Sequence, residues 1–202
     1  MDSGYKYDVF LSYCRWSGWP DWISTFFPIF EHWLGEELGR APAIFIDQRM
    51  EKGTTWPLEL ADALSRSAVL VPLLSRQYFT SGWCKQELAH MLAREKSTGF
   101  RTPTNTRGLI LPGHLHDGDD YPYVVKQISA VHLQDCSYIN ITPRSEIAIR
   151  LEGKIREWVP SISGAIKSAP SRQESWLELA AGEFLAQFAS SEDRQKTPPR
   201  LL

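Results

Sequence analysis

Cysteine is scarce in this chain. Three in 202 residues, Cys14, Cys84 and Cys136, stand far apart with no Cys-x-x-Cys spacing, which argues against a disulfide framework and a structural zinc site. Charge of either sign is not in surplus: 22 basic residues face 24 acidic ones, a net charge of −2, so nothing points to direct nucleic-acid binding or to a membrane surface. No apolar run approaches the roughly 18 residues that a membrane span needs. Met1-Asp2-Ser3-Gly4-Tyr5-Lys6 leads straight into a strand-like stretch without a charged-then-apolar signal segment. A soluble, reduced, cytoplasmic protein is therefore expected. Several catalytic signatures are also missing. No GxGxxG follows the first strand, and there is no GxxxxGK[ST] and no GxSxG, which speaks against a dinucleotide-binding Rossmann unit, a P-loop and an α/β-hydrolase elbow. Ser75 stands after the third strand, where a phospho-accepting receiver would carry Asp.

What is present alternates between two periods. Tyr7–Tyr13, Ala43–Ile46, Ala68–Leu74 and Gly108–Pro112 read as short, continuously apolar strands, with Ala130–Leu133 a weaker fifth. Between them lie helical spacings: Trp22, Phe26, Phe30, Trp33 and Leu34; then Leu60, Ala61 and Leu64; then Cys84, Leu88, Met91 and Leu92, with Ser81 placed to cap that helix. Pro28 predicts a kink in the first helix, and Pro72 sits awkwardly in the third strand. Residues 143–159 and 172–189 read as two further amphipathic helices, and Ser161–Ser171 as a linker. Strands that alternate with helices and are apolar throughout imply a parallel sheet covered on both faces. The expected fold is α/β: a flavodoxin-like, doubly wound, five-stranded parallel sheet flanked by helices, with an extra C-terminal helix. The domain is expected over residues 1–160, with residues 161–202 as linker, C-terminal helix and flexible tail. In such folds ligands bind beyond the carboxyl ends of the strands, which draws attention to the loops after Ser12, Ile46 and Leu74.

Two clusters carry chemistry. His114, His116 and Asp117 suggest a metal pair with a carboxylate, but no third ligand motif accompanies them, and a solvated loop explains them as well; no metal is expected. In Ser81-Gly82-Trp83-Cys84-Lys85-Gln86-Glu87-Leu88, Trp83 and Glu87 lie four residues apart and are neighbours on one helical face, beside the core stripe and leaning to the surface. A carboxylate next to an indole at the carboxyl edge of a sheet suits a flat cationic ligand; a helix-surface Glu beside a half-buried Trp is the other reading.

Tyr7-Asp8-Val9-Phe10-Leu11-Ser12-Tyr13 resembles the first box of the TIR domain (Toll/interleukin receptor homology). Phe45-Ile46-Asp47, Glu51-Lys52-Gly53 and Trp56 are similar to that family's second strand and BB loop. Leu73-Leu74-Ser75, Tyr78 and Ser81 to Leu88 resemble a stretch common in its bacterial members. The motifs occur in family order within residues 5–92. Some TIR domains are interaction modules; others cleave the nicotinamide–ribose bond of NAD. The resemblance implies Glu87 as the catalytic carboxylate, with Trp83, Trp56, Arg15 and Tyr13 as substrate-binding residues, and NAD as substrate, with no cofactor. Cys14 stands where enzymes of the family can be basic, so a phosphate contact would fall to Arg15. Asp47, Lys52 and Gly53 would shape their loop. The products would be nicotinamide with ADP-ribose, a cyclic ADP-ribose isomer or both, the latter favoured if Trp16, Trp19, Trp56 and Trp83 hold adenine folded over the ribose. Further implications are activation by self-association through TIR–TIR contacts, a separate activating or effector protein, and a role in bacterial anti-phage defence. The alternative is a non-enzymatic scaffold that works through TIR–TIR contacts alone.

Overall fold

The computed structural model describes residues 4–14, 19–46, 56–138, 141–142 and 144–178. Five strands form one parallel sheet: β1 (Tyr7–Tyr13), β2 (Ile44–Ile46), β3 (Ser67–Leu74), β4 (Gly113–His114) and β5 (Val131–His132), in the order β2-β1-β3-β4-β5. This is the expected doubly wound order. The helices are α1 (Trp19–Leu38), α2 (Trp56–Ser65), α3 (Gly82–Thr98), the short α4 (Tyr123–Lys126) and α5 (Glu146–Ser168). β1 and β3 pair in register from Tyr7–Ser67 through Val9–Val69 and Leu11–Val71 to Tyr13–Leu73, at their carboxyl ends. Every residue of β3 is buried, as a strand flanked by neighbours and covered on both faces requires.

Pro72 explains why the fourth strand forms later in the chain than its apolar run, Gly108–Pro112, suggests. In β3, the N–H and C=O of Leu70 both pair with the fourth strand, through Leu109 and Leu111, and the carbonyl of Leu74 accepts from Leu115. Alternation places the nitrogen of Pro72 on that same side, where it has no proton to donate. The ladder is therefore broken into a bridge at Ile110 and a two-residue strand, Gly113–His114. Pro28, expected to kink the first helix, lies inside α1, which is one continuous helix from Trp19 to Leu38.

Helix α1 packs on α5 over one face of the sheet. Phe26 and Phe30 stack at 5.3 Å, Phe30 meets the Trp158 ring at 6.0 Å, and the Trp22 indole donates to the Cys136 carbonyl at 2.8 Å. Ser81 and Ser145 cap α3 and α5, accepting from Cys84 N (3.3 Å) and Ala148 N (3.2 Å). Gly99 ends α3 with φ +73°, a left-handed residue that a side chain would strain. The segment from Ser161, expected to be a linker, is a correction: α5 runs through to Ser168, with Ile162 and Ala165 buried. Ser161, Ser163 and Gly164 mask a helical spacing that continues unbroken through Ile155, Trp158, Ile162 and Ala165.

Beyond α5 the chain crosses to the amino edge of the sheet. A 3-10 turn at Glu174–Glu178 carries Trp176, which is 1% exposed; the remainder of the helix expected to residue 189 lies outside the described residues. The guanidinium of the fully buried Arg94 sits 3.8 Å from the Trp176 ring and 5.2 Å from that of Tyr5. It donates to the carbonyls of Ser67 (2.8 Å) and Ala68 (3.2 Å) and to the Tyr5 hydroxyl (2.6 Å). That hydroxyl donates in turn to the Pro170 carbonyl at 2.5 Å. The indole is the cover over a buried cation. Trp176→Ala is expected to lower unfolding free energy by about 3–5 kcal/mol, read as a shift in the denaturant midpoint at unchanged slope.

Candidate functional site

At the carboxyl edge of the sheet, β1 ends beside the first turns of α3. Glu87, on the second turn of α3, is 8% exposed, so it is buried rather than leaning to the surface as its position beside the core stripe suggested. Its Oε2 accepts from the Ser12 hydroxyl. Ser12 Oγ lies 2.8 Å from the hydroxyl of Tyr78, a fully buried residue of the 3-10 turn Arg76–Thr80. Ser12 has one proton, which it gives to Glu87, so the Tyr78 hydroxyl must donate to Ser12. Burial, first, and the nearby Cys84 and Glu87 hold the Tyr78 pKa well above its usual value, so that proton stays in place. The outcome is a directed chain, Tyr78 to Ser12 to Glu87, that fixes one carboxylate oxygen.

Trp83, one turn before Glu87, and His90, one turn after it, join Glu87 and Gln86 along a cleft of about 90 Å³. Its opposite wall is Leu60, Ala61 and Leu64 of α2. The structure thus brings Glu87 and Trp83 together as the helical spacing predicts. Tyr13 is 7% exposed at the end of β1, packed in the core, and is absent from the residues lining this cleft. Arg15, Trp16, Asp47, Lys52 and Gly53 lie outside the described residues, as do the side chains of Trp19 and Trp56. Sequence reasoning missed that Ser12, Tyr78 and His90 gather around Glu87. The signal for His90 was present: Trp83, Glu87 and His90 repeat at four- and three-residue intervals and so share one helical face.

His90 Nε2 is buried and has no hydrogen-bond partner among the described residues, a state that typically costs about 1–3 kcal/mol. Burial and, secondarily, the charge of Arg94 hold its pKa down to about 4, so the ring is neutral at physiological pH. Cys84 is no nucleophile. A hydrogen bond with Cys14, burial and the charge of Glu87 push its thiol far above the usual range. Although Glu87-x-x-His90 could present two ligands to a metal, no group of three or more His, Cys, Asp or Glu side chains converges among the described residues. The other histidine cluster is dispersed: His116 pairs with Asp117, while His114 is buried edge-on to Tyr121 and His132, each at 5.2 Å.

The sheet is doubly wound, and a buried carboxylate and an indole stand together at its carboxyl edge, the place where folds of this class receive ligands. The chain belongs to the TIR family: the model of the TIR domain matches residues 9–146. A curated relative, the probable disease resistance protein RPP1 of Arabidopsis thaliana, is 36% identical over 55 residues, a stretch amounting to 27% of this chain and 5% of that protein. Among solved structures, the TIR domains of the activated Roq1 resistosome directly recognizing the pathogen effector XopQ align over 90% of this chain and 96% of that one, at 16% identity and a TM-score of 0.41.

Two of the histidines make stability depend on pH in a defined window. Burial holds His90 and His114 each at about 4 in the fold, with Arg94 adding to the effect on His90 and His132 to that on His114, against about 6.5 when unfolded. The unfolded chain binds protons first, so their contribution is complete above pH 6.5 and is lost as pH falls toward 4. Unfolding midpoints measured from pH 7 to 4.5 are expected to fall steadily, and less steeply in His114→Phe. Imidazole resonances of both residues are expected to remain in the neutral form at pH 5.

Proposed function

We propose that this TIR domain cleaves the bond between nicotinamide and ribose in NAD. The observation that carries the reading is Glu87: a buried carboxylate beside Trp83 at the cleft, its orientation set by the Ser12 hydroxyl. The chemistry requires little more. Nicotinamide leaves a cationic substrate as a neutral molecule and needs no general acid, unlike the leaving group of an O-glycoside. Positive charge then develops on the ribose, and a carboxylate fixed in a site of low polarity stabilises it without reorganising. Trp83 offers a flat face to a cationic ring. Trp56, Arg15 and Tyr13 complete the proposed binding set, as the family resemblance implies; Tyr13 is buried at the end of β1.

Capture of the ribosyl cation by water gives ADP-ribose; capture by an adenine nitrogen gives a cyclic isomer. In this reading the enzyme acts in bacterial anti-phage defence, with a separate activating or effector protein, and is switched on by association of its own copies in the cytoplasm. A groove between α1 and α5 supports association: Ile149 is 63% exposed there, beside Pro28 and Ile29, a contact that a second copy would cover. The same groove suits a non-enzymatic scaffold, and activity separates the two readings.

Nicotinamide release by the purified chain at high protein concentration is the test. Glu87→Gln keeps an oxygen to accept from Ser12, so folding is expected to survive while release falls by 100-fold or more, about 3 kcal/mol. Ser12→Ala is expected to lower turnover about tenfold with little change in KM, because it frees the carboxylate without removing it. Specific activity is expected to rise with protein concentration. Activity that survives in folded Glu87→Gln removes this mechanism. Chromatography against standards distinguishes ADP-ribose from its cyclic isomers.

A further inference from the structure

His90 is the residue in the cleft whose chemistry the proposed reaction does not use. It lies one turn beyond Glu87 on the same face of α3 and lines the cleft with Trp83, Gln86 and Glu87, across from Leu60, Ala61 and Leu64. Its Nε2 is buried there with no partner among the described residues. A buried ring nitrogen without a partner weakens a fold, and at the wall of a cleft it leaves a hydrogen bond for an entering group to make. The cleft also limits what can enter. At about 90 Å³ it is smaller than the roughly 150 Å³ cavity that takes a benzene, so it receives the substituted edge of one flat ring and not a dinucleotide. The apolar wall of Leu60, Ala61 and Leu64 and the Trp83 indole accept the ring, and a polar substituent reaching past Glu87 meets His90.

We infer that His90 is a substrate-binding residue that recognises the carboxamide of the nicotinamide ring through Nε2, and so selects an aromatic amide over the corresponding acid. This deepens the proposed reaction and rests on it for the identity of the substrate. The reason for an amide is a matching of donors and acceptors. A neutral imidazole has one N–H and one bare nitrogen; a primary carboxamide has both N–H groups and a carbonyl oxygen, so it pairs with Nε2 in either tautomer. A carboxylate pairs with only one tautomer and would bring a second negative charge beside Glu87. The ring is kept neutral by its burial and by Arg94, one turn further along α3. Arg94 is in turn fixed by the Ser67 and Ala68 carbonyls and by Tyr5. An imidazolium would have attracted the acid instead. Sites built around a hydrogen bond of this kind discriminate more sharply than apolar pockets do.

The test uses the full chain and two single-ring probes, nicotinamide and nicotinate, followed at the imidazole nitrogens by long-range ¹H–¹⁵N spectra. Nicotinamide is expected to move the His90 Nε2 resonance and nicotinate to leave it in place. In kinetics, wild type is expected to favour NAD over the analogue bearing a carboxylate on the pyridine ring by at least tenfold in kcat/KM. His90→Leu is expected to reduce this preference to about threefold or less, and His90→Gln, which keeps a donor and an acceptor, to restore most of it. Cleavage of NAD with the His90 resonance unmoved overturns the inference and leaves the hydrolase reading intact. A shifted resonance in a chain that releases no nicotinamide keeps the amide-binding role and overturns the reaction. Failure of both removes both, and equal preference in His90→Leu and wild type, with each folded, overturns the role in selection.

Discussion

A buried charge must find a partner, and helix α3 carries three into the interior. Each is met by a different part of the sheet. Glu87 takes the hydroxyl of Ser12 at the end of β1. Arg94 gives its protons to the Ser67 and Ala68 carbonyls at the start of β3. Glu95, 2% exposed, accepts from the backbone N–H groups of Leu109 and Ile110 at the approach to β4, while Arg101 closes on its second oxygen at 2.7 Å. Leaving any of these charges buried and unmatched would cost several kcal/mol. The helix is thereby pinned in rotation and in height against three neighbouring strands. Apolar contacts alone, being non-directional, would fix neither so closely. The cleft inherits this rigidity, because Trp83, Glu87 and His90 stand on the same helix.

Residue types on α3 also explain which parts of the structure are legible in the sequence. The alternation of strands and helices along the chain, the Ser81 cap and the pairing of Trp83 with Glu87 all follow from local rules of apolar period, capping side chain and helical spacing, and the alternation in turn suggests the doubly wound sheet. The burial of Glu87, Arg94 and Glu95 does not, because a periodic reading assigns charged residues to the solvent face. Only the positions of Ser12, Ser67 and Leu109, distant in sequence, make the interior tolerable for them. The same limit hid His90, whose spacing was visible but whose isolation was not. The end of α5 was misread for a related reason: Ser161, Ser163 and Gly164 have the composition of a linker, yet Ile162 and Ala165 between them continue a buried stripe.

Pro72 is the instructive intermediate case. The sequence marks it as unsuited to a central strand, and it lies in one nonetheless. In a parallel strand each residue directs its N–H and C=O to the same neighbour, so a missing proton disturbs one side only. On the β1 side Pro72 stays in register with Ser12. The disturbance falls on the β4 side, where pairing stops after Ile110 and resumes at Gly113. The defect thus spares the β1–β3 pair that carries Ser12 to the site.

The two ends of α3 meet opposite demands with the same residue classes. Toward its C-terminus Arg94 is sealed from water by Trp176 and Tyr5, and its two terminal nitrogens donate to carbonyls and a hydroxyl; a charge enclosed in this way serves the fold. Toward its N-terminus Glu87 and His90 border an open cleft, and groups held there can still act on something that enters. Arg94 and His90 are one turn apart, and the charge of the first adds to the burial that keeps the second neutral. The C-terminal segment that covers Arg94 therefore also shelters a cation that contributes, after burial, to the neutrality of His90, although Trp176 itself is not among the residues that line the cleft.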